Sequence, residues 1–134
     1  MLPNLGLAIN EAITVVDPKS KNYRMYLEKE FIKGYANEKE AMKQVIFKIL
    51  MTERYRHLIY SWNYGIELED LFGMPVNYVV PEVERRIVEA LVQDDRINSV
   101  DGFVFDLSKR HIVAVSFVAH TIYGDVNGSR EVSV

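Results

Sequence analysis

The chain contains no cysteine, so any chemistry must come from carboxylates, three histidines, scattered hydroxyls and a group of arginines and aromatics. Thiol nucleophiles, thiolate metal sites and disulfide frameworks are thereby excluded. His57, His111 and His120 fall in separate predicted elements, and none stands four residues from another His or a Glu on a predicted helix, the spacing that a zinc peptidase requires. Seven glycines at 6, 34, 65, 73, 102, 124 and 128 form neither G-x-G-x-x-G nor a Walker loop, so no phosphate cradle is present. The serines, among them Ser61, Ser99, Ser108, Ser116 and Ser129, lack the G-x-S-x-G setting of a nucleophile on a strained turn. Carboxylates remain, 19 in number. A glycosidase needs two of them about 5–10 Å apart with one pKa raised by burial. Glu67, Glu69 and Asp70, or Asp94 and Asp95, are the candidates, against the plainer reading of solvated charges in polar turns.

Residues 53–72 stand apart in composition. Arg54, Arg56, Tyr55, Tyr60, Trp62, Tyr64 and Phe72 concentrate the residue types enriched at binding hot spots. Two readings are open. Tyr and Trp can complete a small core, with their polar ends bonded to backbone and Arg stems packed across them; or the segment is a protein interface. Base stacking on nucleic acid is a third use, disfavoured by a net charge of -3, which supplies no basic field.

The elements that must position these residues follow from periodicity. At 134 residues, with 49% hydrophobic and 26% charged positions, the chain suits one globular domain over 1–134 that buries about two-thirds of its unfolded surface. Short extended pieces at 13–16, 23–27 and 31–36 precede a helix over 38–52, which Asn37 and Glu40 can open as a capping box ahead of Ala41, Met42, Val45, Ile46, Ile49 and Leu50. A second helix is predicted over 79–94, with Pro81 in its first turn and Val83, Ile87, Ala90 and Leu91 on one face. The period then changes: Phe103, Phe105 and Leu107 alternate, 108–110 turns, and 112–123 is a β-branched and aromatic run, which makes an antiparallel hairpin. A turn is expected at 124–128 and a short terminal strand at 131–134. The class is α+β, with short N-terminal strands, two main helices flanking the irregular aromatic segment, and a C-terminal hairpin plus terminal strand. No basic leader precedes an apolar stretch at the N-terminus and no run of about 18 apolar residues occurs, so neither export by a standard signal nor membrane insertion is expected.

Two blocks of sequence carry a family resemblance. The first is Gln44-Val45-Ile46-Phe47-Lys48-Ile49-Leu50-Met51-Thr52-Glu53-Arg54-Tyr55 with Tyr60-Ser61-Trp62-Asn63-Tyr64-Gly65-Ile66-Glu67-Leu68. The second is Glu84-Arg85-Arg86-Ile87-Val88-Glu89-Ala90-Leu91 leading to Asp95-Arg96-Ile97 and Phe103, with Val115-Ser116-Phe117 and Thr121-Ile122-Tyr123-Gly124 beyond. Over about 20–134 the chain resembles the tail proteins of Gram-positive phages and PBSX-type prophages, a family related to the phage baseplate wedge protein historically called tail lysozyme. Residues 1–20 fall outside the resemblance and are read as an extra arm or strand.

The resemblance implies a non-enzymatic structural subunit of a contractile-tail baseplate, made in the bacterial cytoplasm. It would pack on the wedge's helical core and present strands that start sheath assembly. Its partners would be wedge proteins and the tail sheath protein, with no cofactor, metal, small-molecule substrate, nucleic acid or membrane. In the wider family a Glu-Pro-Arg tripeptide ends the second helix and contacts the wedge bundle; the matching positions here read Asp94-Asp95-Arg96. Without the proline, the backbone there is not fixed in the same way. Arg54 and Arg96 each follow a helix, where a partly desolvated guanidinium gives bidentate recognition of a partner's carboxylates. With Tyr55, Trp62, Tyr64, Asp94 and Asp95 they form one candidate partner-binding set. Glu131, Val132 and Val134, on a terminal strand suited to pairing with another chain's sheet, form the other. The rival reading is a peptidoglycan hydrolase using a carboxylate pair, and a scaffold or adaptor unrelated to phage is a weaker third.

Overall fold

The computed structural model describes residues 21–134. The extended piece expected at 13–16 and the arm assigned to 1–20 lie outside the described residues. β1 (Lys21–Tyr26) and β2 (Phe31–Asn37) form an antiparallel hairpin whose register shifts between Tyr23 and Met25. The shift releases backbone groups from the ladder, and Gln44 of the following helix takes them up. Its Oε1 accepts from Met25 N at 2.9 Å while its Nε2 donates to Tyr23 O at 2.7 Å. One side-chain amide thus satisfies two groups that would otherwise be orphaned.

α1 (Glu38–Met51) buries Ala41, Met42, Ile46, Ile49 and Leu50, the 3.6-residue stripe that the sequence predicts. Its expected capping box is not formed. Asn37 is extended and makes no side-chain cap bond, and the Glu40 carboxylate pairs instead with Arg24 of β1. The hairpin's arginine has outcompeted the N-terminal amide for that carboxylate.

α2 (Val76–Val92) begins three residues before, and ends two residues before, the predicted 79–94. Pro75 stands at its N-cap, and its carbonyl accepts from both Tyr78 N and Val79 N at 3.0 Å. Pro81 therefore lies inside the helix rather than in its first turn. The amide it lacks would have bonded to the carbonyl of Asn77, an exposed residue where water can take its place. Val79, Val83, Ile87, Ala90 and Leu91 form the buried stripe.

β3 (Ile97–Asp106), β4 (Ile112–Thr121) and β5 (Gly124–Ser133) form an antiparallel sheet with β4 in the centre. Val113, Val115, Phe117 and Ala119 alternate inward along β4, and Val126 and Val132 join them from β5. The turn expected at 124–128 is instead the first half of β5, which faces β4 without interruption from Thr121↔Gly124 to Ile112↔Ser133. The reversal is made at 122–123. Gly128 misled the reading because its role is packing: a Cβ there would stand 2.4 Å from the ring of Phe117, directly across the ladder.

α1 packs against β5 and α2 against β3, so the helical stripes close over the inner face of the sheet. Ile66, Leu68 and Leu71, from the segment between the helices, complete the same core. Each fully buried aliphatic side chain in it contributes about 1.5–3 kcal/mol. The α+β order read from the sequence is the order observed.

Candidate partner-binding site

The segment between α1 and α2 has a braced base and an exposed tip. At the base, Glu53 and Ile66 form a parallel bridge, with Arg54 N donating to Ile66 O at 3.2 Å and Ile66 N to Thr52 O at 3.0 Å. Gly65 makes that approach feasible: it sits at φ +92°, and a Cβ on it would lie 2.6 Å from Thr52 O. The Glu53 carboxylate accepts from Leu68 N at 3.1 Å and Glu69 N at 3.3 Å, which caps the short 3₁₀ turn Glu69–Leu71 and delivers Leu68 and Leu71 to the core.

Arg54 locks this base onto α2. Its Nε and Nη2 donate to Gly65 O at 3.3 and 3.2 Å, its Nη1 donates to Glu89 Oε1 at 3.1 Å, and its side chain is only 11% exposed. The guanidinium that the sequence offers to a partner is spent inside the chain.

The tip is the reverse. Tyr55, in the left-handed region at φ 67°, turns the chain outward, and Leu58, Ile59 and Trp62 follow with large apolar side chains in solvent, Trp62 at 81% exposure. Tyr60 stacks on Tyr64 with centroids 4.5 Å apart. Burial raises the pKa of the half-buried Tyr64, helped by the neighbouring Tyr60.

Tyr64 lines a cleft of about 570 Å³ together with Asp94 and Arg96. Asp94 Oδ1 accepts from Arg96 N at 3.0 Å and Nε at 2.9 Å, and its Oδ2 accepts from Arg96 Nη2 at 2.7 Å. The guanidinium beside it holds the Asp94 carboxyl below the usual range, and Arg96 is raised in turn. Without a proline, the 94–96 corner is fixed by this internal fork, and Asp95 is left exposed.

The terminal set divides as well. Val132 is a core residue at 3% exposure and Val134 is half-buried with its N–H on His111 O at 3.0 Å, while Glu131 points outward to Lys109. The structure thus brings Tyr64, Asp94 and Arg96 to one cleft, leaves Tyr55 and Trp62 on the tip, turns Arg54 inward and sets Glu131, Val132 and Val134 at the far end of the sheet.

A family model for the contractile injection system sheath initiator matches residues 14–124, spanning both helices, the segment between them and the first two strands of the large sheet. The chain belongs to the sheath initiator family. It is also 41% identical over 88 residues to the phage-like element PBSX protein XkdS of Bacillus subtilis (strain 168). That alignment covers 63% of this chain and 62% of the relative, so the chain spans less than two-thirds of XkdS.

In this sheath initiator three of the five candidate hydrolase carboxylates, Glu69, Asp70 and Asp94, are engaged with arginines. Arg56 donates to Glu69 at 2.6 Å, and Arg86 grips Asp70 through two bonds of 2.5 and 3.0 Å. Asp70, like Asp94, is held below the ordinary carboxylate range by its arginine, opposite to the shift a general acid needs. Three contributors escaped the sequence reading. Glu53 carried no signal, because its role as a distant cap appears only when the base closes. Arg86, with Glu82 one turn before it, carried the ordinary signal of a helical ion pair. Arg130 shares the alternation parity of Val126 and Val132, a pattern hidden once 124–128 is taken as a turn.

Proposed function

We propose that this sheath initiator is a non-enzymatic structural subunit of a phage-type baseplate that packs on the helical core of the wedge and begins sheath assembly by offering a sheet edge. The observation that carries this reading is the three-stranded sheet: among the described residues, no strand pairs with the outer edge of β3 or of β5. An edge strand backed by a core is a template for strands from another chain. β5 is held in position by Val126 and Val132, so the template is rigid before the partner arrives.

The corner at 94–96 suits the wedge contact. It holds the positions that match the family's Glu-Pro-Arg tripeptide, and the Asp94–Arg96 fork presents a fixed shape with Asp95 outward. The exposed apolar tip at Leu58, Ile59 and Trp62 supplies the large anchors that interfaces enrich. Assembly would take place in the host cytoplasm, with the baseplate as the final location.

The test is assembly of tails in cells lacking this chain. Baseplates and tubes should form without sheath, and the chain supplied in trans should restore it. Full-length sheaths in its absence overturn the proposal. The hydrolase rival is tested by wall clearing at pH values from about 4 to 8, the range of a tuned carboxylate pair. Clearing that co-purifies with the protein and is lost in Glu67→Gln or Asp95→Asn would replace the structural reading.

A further inference from the structure

Arg130 sits on β5 in the inward-facing row of Val126, Gly128 and Val132, opposite Val115 of β4. Among the described residues its buried Nε has no hydrogen-bond partner, and its Nη1 donates only to Met51 Sδ, at 3.1 Å. A thioether is a weak acceptor, so among the described residues a guanidinium with five donors is left underused and its charge uncompensated, a costly state for a partly buried cation. The nearby carboxylates are occupied elsewhere. Glu53 caps Leu68 and Glu69, Glu69 itself pairs with Arg56, and Glu131, on the other face of β5, pairs with Lys109.

Arg130 lines a cleft of about 670 Å³ between the end of α1 and the end of β5. Leu50, Met51, Leu68, Phe72 and Ile112 give this cleft an apolar part beside the already paired Glu53, Glu69 and Glu131, and Phe72 and Met51 are exposed there. The site therefore combines one unmet demand for an anionic acceptor with a surface for an adjoining apolar side chain.

We propose that this cleft receives an acidic, extended segment of the sheath protein, with a Glu or Asp carboxylate taking the free donors of Arg130 and a neighbouring apolar side chain resting on Met51 and Phe72. The assignment to the sheath rests on the function proposed above; the carboxylate chemistry rests on Arg130 alone. An extended segment fits because side chains two residues apart lie on one face, which suits a partner lying along the end of β5.

The test uses the full chain and two acetylated, amidated peptides, one alternating Val with Glu and the other Val with Gln, each titrated against wild type. Purified sheath protein from the same particle is titrated in parallel. The Glu peptide should bind about tenfold or more tightly than the Gln peptide, as expected for a charge-assisted pair. Arg130→Met should abolish that preference, Arg130→Lys should keep part of it, and both should weaken sheath binding in the same order. Equal binding of the two peptides by wild type overturns the proposal and makes Arg130 a charge that guards the sheet edge; this comparison needs no variant to fold. Wild-type sheath binding that Arg130→Met leaves unchanged, with native melting, overturns it too. Preference for the Glu peptide without sheath binding keeps the carboxylate site and removes the sheath as occupant, and the function proposed above falls with it.

Discussion

The base and the tip of the segment between the two helices are built from the same residue types and end in opposite surroundings. At the base, Arg54 and Glu53 satisfy backbone groups at Gly65, Leu68 and Glu69, and Ile66, Leu68 and Leu71 enter the core. At the tip, ten residues or fewer away, Leu58, Ile59 and Trp62 are exposed. Composition marked the whole segment as unusual; its base completes the core, and its tip leaves large apolar side chains exposed. A polar residue near a closing loop is recruited to the backbone because an unmet buried N–H or C=O costs about 1–3 kcal/mol. Apolar residues at a narrow tip have no second layer to pack against and stay in solvent.

The sharpest way to break this contrast is at Gly65. Gly65→Ala should cost about 3 kcal/mol in chemical denaturation, since a Cβ would meet Thr52 O at 2.6 Å and the backbone is at φ +92°. A loss below about 0.5 kcal/mol, the level of an ordinary surface change, would show that the base is not braced as described.

Arg54→Ala should follow at about 2 kcal/mol, for the loss of three charged donors and the orphaning of Gly65 O. Arg54→Lys should recover less than half of it, because an ammonium lacks the fork that spans Gly65 O and Glu89. Were Arg54 a free interface arginine, both variants would melt with wild type and fail only in assembly.

Trp62→Ala and Leu58→Ser, at the tip, should each shift stability by less than about 0.5 kcal/mol while lowering incorporation into baseplates. Destabilisation comparable to that of Arg54→Ala would place the tip in the core and erase the contrast.

The smallest effect is expected on the open face of the sheet, where His120 bonds to Asp125 at 2.6 Å and Asp101 at 2.8 Å and joins the three strands outside the core. The bond to Asp125, then that to Asp101, raises the His120 pKa above its ordinary value. A raised folded-state pKa contributes stability that is fully present below the unfolded value of about 6.5 and is lost as pH rises through the folded one. The melting temperature of wild type relative to His120→Gln should therefore be highest at mildly acidic pH and decline through neutrality. A difference independent of pH would show that the two aspartates do not act on the imidazole charge.

The order of elements, the α+β class, the core stripes of both helices and the alternation of Phe103 and Phe105 along β3 were all legible from residue spacing, because burial on one face of a regular element imposes a period that local sequence must carry. Local signals failed where a distant partner competed for the same group. Glu40 was a sound capping residue until Arg24 of the hairpin reached it, and Pro81 marked a helix start that Pro75 made one turn earlier. Gly128 read as a turn until Phe117 was set across the ladder, and Arg54 read as an interface arginine until Gly65 and Glu89 arrived to receive it. Each of these outcomes depends on contacts between residues 11–35 positions apart in the chain or on the geometry of the preceding turn. Such contacts exist only once the sheet and helices have closed on one another, so tertiary structure alone decided which arginine is a brace and which, at Arg130, is left among the described residues with an unmet demand.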